Sequence, residues 1–192
     1  MRKLVAGPLT LEYSEGSLWN ISDGSEEVIR RIYLVFQDIN WTSRPFVIKD
    51  EIWEVADRSF SAKIKAQGSH DAKDLTVELE ITGSESGEIT YGFSALTAVS
   101  FMRNRLGLCL LHPVAGLAGR DCELTKADGD IEKSKFPEAI SPDQPFLNLS
   151  GISHQLRSGQ VASVNFEGEI FESEDHRNWS DASYKTYCTP IS

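Results

Sequence analysis

Leu75-Thr76-Val77-Glu78-Leu79-Glu80-Ile81 and Ile89-Thr90-Tyr91-Gly92-Phe93 flank the polar loop Gly83-Ser84-Glu85-Ser86-Gly87. In both runs every second side chain is apolar and its neighbours are mostly charged, hydroxylated or absent. Such alternation places one face against a core and the other in water, so the pair reads as an antiparallel hairpin. Upstream, Phe60, Ala62, Ile64 and Ala66 alternate with Ser59, Ser61, Lys63 and Lys65 in the same way. Downstream, Ala162, Val164, Phe166, Gly168 and Ile170 form one face against Ser163, Asn165, Glu167 and Glu169.

Two further runs, Ile29 to Phe36 and Leu106 to Leu111, are apolar on both faces and read as strands buried between layers. No segment keeps a helical stripe over three turns. Many short strands joined by polar turns predict an all-β chain, a two-layer antiparallel β-sandwich with little helix. Three prolines in Pro137 to Pro145 exclude a central strand there and predict a surface crossing. The stretch from Ser173 to Ser192 is polar and carries no strand signal up to Pro190.

The chain has 192 residues, which predicts a single domain over 1–192. Its 19 Lys and Arg against 29 Asp and Glu give a net charge of −10, with no basic run to offset it. That balance argues against nucleic-acid partners and against docking on anionic membranes. No stretch approaches the ~20 apolar residues of a membrane helix. Gly7 and Pro8 interrupt the apolar N-terminal run, which makes a poor secretion signal. Three cysteines (Cys109, Cys122, Cys188) are too few and odd in number for a disulfide framework, so a reduced, cytoplasmic protein is expected. The Asn-X-Ser/Thr triplets at Asn20, Asn40, Asn148 and Asn178 would matter only on a secretory route.

Chemistry-bearing residues concentrate between Phe166 and Tyr187. Glu167 and Glu169, two apart on a strand, would share a face at about 6.5–7 Å, a spacing suited to carboxylates working around a water; a solvated strand edge has the same signature. Glu174-Asp175-His176-Arg177-Asn178-Trp179, read as a non-strand segment, combines acid, base, amide and indole groups able to hydrogen-bond and stack on a polyol. Arg177 could aim at an oxyanion, or merely neutralise its neighbours. His112 ends the buried run where a strand leaves the sheet, a place used for both structural and functional side chains. No Cys-X-X-Cys, His-X-X-X-His, Gly-X-Ser-X-Gly or phosphate-cradling loop occurs, so neither a metal nor a cofactor is expected.

Several blocks together carry a specific resemblance: Arg103-Asn104-Arg105-Leu106-Gly107-Leu108-Cys109, Leu111-His112-Pro113, Gly119-Arg120, Phe136-Pro137, Ile140-Ser141-Pro142-Asp143-Gln144-Pro145-Phe146 and the long Glu174 to Tyr187 block, with Arg31-Ile32-Tyr33 to Asn40-Trp41 upstream. They are similar to the N-terminal region of the bacterial D-apionate lactonase family. The resemblance implies opening of a branched-sugar lactone, D-apionolactone, to D-apionate during apiose breakdown. It also implies a longer protein in which this β-rich part is followed by a (β/α)₈-like barrel, a partner domain absent from this chain, and a further small domain.

The residues, not the family, suggest the roles. Glu174 or Asp175 would act as base, with Arg177 or His112 as oxyanion or carboxylate partner. Trp179, Asn178, Asp181, Glu169 and Arg105 would contact a small sugar lactone or sugar acid. A non-catalytic module that binds carbohydrate or packs on the barrel is the competing expectation. A mutarotase-like activity is a third, resting on fold analogy with large β-sandwich sugar enzymes. An open groove lined by Trp179, Arg177 and His112 would favour chemistry or binding, and the same groups sealed among strands would favour scaffolding.

Overall fold

The computed structural model describes residues 1–179 and 181–188, Asp71 by its backbone alone. Among them are fifteen strands and one short 3₁₀ turn, and the strands pair antiparallel. The chain divides into two compact units: Met1–Ser25 with Arg31–Leu108, and Glu26–Arg30 with Cys109–Ser192.

In the first unit β1 (Arg2–Ala6), β2 (Leu9–Ser14), β3 (Ser17–Asp23) and β4 (Glu26–Gln37) lie in sequence order in one sheet. β5 (Val47–Val55), β6 (Phe60–Gln67), β7 (Leu75–Gly83) and β8 (Ile89–Thr97) form the other. Strand β7 follows the alternation without a fault: Leu75, Val77, Leu79 and Ile81 are buried, while Thr76, Glu78, Glu80 and Thr82 are exposed. Its exposed acids face the lysines of β6 across the ladder, Lys63 with Glu80 at 3.4 Å and Lys65 with Glu78 at 3.8 Å. Exposed pairs of this kind add little stability. The burial beneath them holds the sheet, at roughly 1.5–3 kcal/mol per large apolar side chain.

The two layers meet through Tyr13, whose hydroxyl donates to Glu51 and whose ring lies 4.6 Å from that of Trp53. The Tyr91 hydroxyl donates to the carbonyl of Gly16 at 2.5 Å. Gly7 is required where the layers touch. Its φ is +55°, and a Cβ there would lie 2.4 Å from the carbonyl oxygen of Glu85.

The run 29–36 departs from the expectation of full burial. Ile29, Val35 and Phe36 are buried, but Arg30 to Leu34 are only half-buried. Its two arginines find polar or aromatic work there. Arg31 lies 4.0 Å from the ring centroids of both Trp19 and Tyr33, and Arg30 donates to the carbonyl of Ala182 at 3.0 Å.

The second unit takes up β9 (Arg105–His112) at Cys109, and across the sheet follow β15 (Tyr184–Cys188), β14 (Phe171–Asp175), β12 (Phe146–Gln155), β10 (Asp121–Lys126) and β11 (Ile131–Lys135). β13 (Val161–Asn165) pairs with the far half of β12, whereas the near half pairs with β14. From Cys109 to His112 strand β9 is buried on both faces, as its composition predicts. Phe136 fills the centre of this unit, with ring centroids of Tyr184, Phe146, His154 and His112 at 5.2, 5.5, 5.8 and 6.1 Å. Pro137 to Pro145 contains no strand, as its prolines require.

Two readings of the C-terminal third need correction. The alternation from Ala162 to Ile170 is not one strand: β13 stops at Asn165, Gly168 takes φ +88°, and Ile170 is exposed. Glu167 and Glu169 therefore sit on an exposed bend and do not form a strand-borne pair. The polar stretch after Ser173 holds most of β14 and all of β15, the latter buried throughout. Glu174 and Asp175 are accordingly on a strand. Pro190 lies outside the described residues.

Candidate functional site

Strands β14 and β15 form a ladder in which Glu172 pairs with Tyr187, Glu174 with Lys185, and Asp175 with Tyr184. Strand alternation divides their side chains between two faces. Glu172, Glu174, Lys185 and Tyr187 share one; Ser173, Asp175, Tyr184 and Thr186 share the other. The connecting turn is closed by the His176 amide donating to Ser183 O at 2.8 Å and the Trp179 amide to His176 O at 3.0 Å.

On the first face the side chains form a continuous polar network. Nε2 of His176 lies 2.7 Å from Oε2 of Glu174, and Nδ1 lies 3.1 Å from Oδ2 of Asp181. Lys185 Nζ donates to the same Asp181 oxygen at 3.3 Å. The Tyr187 hydroxyl lies 2.6 Å from a carboxylate oxygen of Glu172 and 2.6 Å from one of Glu174; its single proton serves one of them at a time.

Burial opposes charging of His176, but hydrogen bonds to Asp181 and Glu174 outweigh it and raise its pKa above the ordinary value. The hydrogen bond from His176 is the largest of the effects that lower Asp181 to about 2. Burial, reinforced by Glu172 and Glu174, raises the Tyr187 phenol. Trp179, at the tip of the turn, is 69% exposed and its ring lies 6.1 Å from the imidazole. Asn178 beside it is exposed too.

On the second face Asp175 and Arg177 are committed to the proline-rich crossing. Arg177 grips the Asp175 carboxylate with Nε at 2.9 Å and Nη2 at 2.5 Å. It also donates to the carbonyls of Glu138 and Ala139 at 2.8 Å each, and to that of Pro137 at 3.2 Å. Asp175, whose side chain is fully buried, accepts from the Ser141 amide at 2.9 Å, and the Tyr184 hydroxyl donates to Pro137 O at 2.6 Å. Burial alone would raise the Asp175 carboxyl; the donors around it hold it below the usual carboxylate range instead. Five hydrogen bonds to loop and carboxylate leave Arg177 a positioning group that lashes residues 137–141 to the hairpin.

His112 lies opposite Tyr184, on the face away from Glu174. Its Nε2 is 3.1 Å from the Thr186 hydroxyl, itself 2.7 Å from that of Ser173. Burial pushes its pKa down to about 3, so the ring is a neutral interior group. Glu169 is on the exposed bend before β14, and Arg105 opens β9 in the first unit.

Of the residues singled out in the sequence, the hairpin thus assembles Glu174, Asp181, Asn178 and Trp179 around His176. It turns Asp175 and Arg177 to structural use and keeps His112 inside. His176 lies in the segment singled out but was given no role, and Glu172, Lys185 and Tyr187 were not assigned to the site. Their signal was present as the two-residue spacing of 172, 174 and 176 facing that of 185 and 187. An open trough of about 650 Å³ lies elsewhere in the second unit, along β10 to β13 beside Lys133, Ser153 and Val161, and none of the predicted residues lines it.

An all-β module whose hairpin carries a carboxylate–histidine network beside an exposed indole has the makings of a polyol-recognising surface. Comparison places the chain more closely. The sequence model described as "D-apionate lactonase, N-terminal domain" matches residues 1–192, and the chain belongs to that family. It is similar to the D-apionate lactonase of Brucella anthropi, with 37% identity over 189 residues. The match covers 98% of this chain and 31% of that protein, so the chain spans about a third of the length of the curated relative. No helix among the described residues is long and apolar enough to cross a membrane.

Proposed function

We propose that this chain is the N-terminal module of a cytoplasmic sugar-lactone hydrolase that opens D-apionolactone to D-apionate in apiose breakdown. The observation that carries the reading is the family match along the whole chain. The hairpin supplies chemistry consistent with it. Glu174, with its side chain 30% exposed, is the group able to take a proton from an attacking water. Trp179 offers a flat apolar face to the ring, and Asn178 and Asp181 offer polar contacts to its hydroxyls. Asp175 and Arg177 hold the turn that presents them. Ring opening adds the elements of water across the ester bond: the hydroxyl to the carbonyl carbon, the proton to the departing ring oxygen.

The deciding experiment measures D-apionolactone hydrolysis by a full-length protein carrying this module, with and without Glu174→Gln and Trp179→Ala. A loss of kcat in the first and a rise of KM in the second are expected. Wild-type kinetics in both variants would remove the hairpin from the reaction and leave the module as a scaffold for the rest of the protein. That second reading is favoured by one fact: Asp175, Arg177 and His112 are all built into the hydrogen-bonded interior.

A further inference from the structure

Between β4 and β5 the first unit makes a loop organised around a single buried carboxylate. Asp38 accepts the amides of Asn40 and Thr42 at 2.9 and 3.0 Å and pairs with Arg44, whose Nη2 lies 2.7 Å from Oδ2. Its carbonyl accepts the amide of Trp41 at 3.0 Å and the side-chain amide of Asn104 at 3.0 Å. This many ties fix residues 38–44 in one shape, and the shape is an unusual one. Trp41 is held at φ +62°, a region that bulky side chains avoid.

The rigid loop does not bury the indole it strains to place. Trp41 is 61% exposed, while Asn40, Thr42 and Ser43 beside it are exposed as well. The guanidinium of Arg105 stands 6.0 Å from the indole centroid. Core packing would reward neither the backbone conformation nor the exposure. A flat apolar face hemmed by amide, hydroxyl and guanidinium donors instead matches the two aspects of a sugar ring, a C–H face and an equatorial belt of hydroxyls.

We propose that Trp41, pre-positioned by the Asp38 loop and backed by Arg105, is a saccharide-stacking site separate from the β14–β15 hairpin. The recognised chemistry is a sugar ring within a glycan, either neutral or bearing a carboxylate that Arg105 would meet. This inference does not depend on the lactonase reading.

Titration of the ¹⁵N-labelled chain with a neutral xylotetraose and with tetragalacturonate, followed at the Trp41 indole N–H and, in every variant, at the backbone amides of residues 38–43, tests it and separates the two sources. A saturable shift of that signal with at least one saccharide is expected. Trp41→Gly should weaken binding roughly tenfold or more, with Ile131→Ala, at an exposed position on β11, within roughly twofold of wild type. Glycine is at home at φ +62°, so the variant is expected to keep the wild-type unfolding midpoint; Trp41→Asn, also tolerant of that region, repeats the test. The proposal is overturned by the absence of a saturable shift with either sugar, or by binding lost in Trp179→Ala but kept in Trp41→Gly. It is also overturned if concentration-dependent self-association of the chain, and not sugar binding, disappears with Trp41.

Discussion

Acidifying the protein from neutral pH to 4.5 should weaken it through His112, and the size of the effect follows from where that ring sits. In the unfolded chain the imidazole titrates near 6.5, whereas in the folded one burial lowers it to about 3. Between those values the unfolded state binds a proton that the native state does not, so stability falls as pH falls. Over the two units from 6.5 to 4.5 the loss is about 2–3 kcal/mol. His154, also lowered chiefly by burial, pulls in the same direction. Replacing His112 with Asn keeps a polar partner for Thr186 but removes the titrating group.

Urea unfolding at pH 7.5, 6.5, 5.5 and 4.5 reads the effect directly. His112→Asn is expected to be less stable at pH 7.5, and the gap to wild type should narrow by about 2–3 kcal/mol at pH 4.5. Parallel pH profiles for the two proteins would refute the argument. So would an imidazole resonance of His112 that titrates between pH 5 and 8 in the folded protein.

Removing the guanidinium with Arg177→Met should cost about 3–5 kcal/mol in the same unfolding assay, because it strands the buried Asp175 carboxylate. Adding Asp175→Asn to that variant should recover part of the loss, a coupling that a double-mutant cycle measures. Asp181→Asn should lower the His176 midpoint seen by NMR, since a hydrogen bond that favours the charged ring is lost. The stabilisation from His176 is complete below the unfolded value of 6.5 and fades as pH rises through the higher folded value. Ile81→Ala, at a position with no exposed surface, should cost about 2–5 kcal/mol and leave the hairpin titrations of the second unit unchanged.

The hairpin shows why its two faces behave differently. Eight side chains on the two strands, from Glu172 to Tyr187, carry hydrogen-bonding groups, and alternation sends them to two environments. Asp175, facing inward, must be fully paired because an unpaired buried carboxylate is costly, and Arg177 with the Ser141 amide meets that demand. Glu174 and His176 face outward and keep partial access to water. Similar residue types one position apart in the chain therefore divide into buried anchors and water-accessible groups.

Local sequence was sufficient for much of this molecule. The alternation in β6 and β7, the breaks at Gly83 to Gly87 and the prolines of 137–145 act through backbone geometry and nearest-neighbour burial, so they are readable residue by residue. The Glu174 to Tyr187 block also showed by composition that polar and aromatic groups gather there. What the chain could not disclose alone was which partner each polar side chain would meet. β15 was hidden because Tyr-Lys-Thr-Tyr-Cys is buried through pairing with β9 and β14, contacts made by residues up to 78 positions away, as in Cys109 opposite Tyr187. Arg177 reads as either an oxyanion partner or a neutraliser of its neighbours until the fold brings the carbonyls of 137–139 to its fork, and His112 reads as either a structural or a functional strand-end side chain until Phe136 and Thr186 close over it. Patterning acts along the chain, whereas charge state and hydrogen-bond partnership are set by desolvation and long-range pairing, which exist only once the sheets have formed.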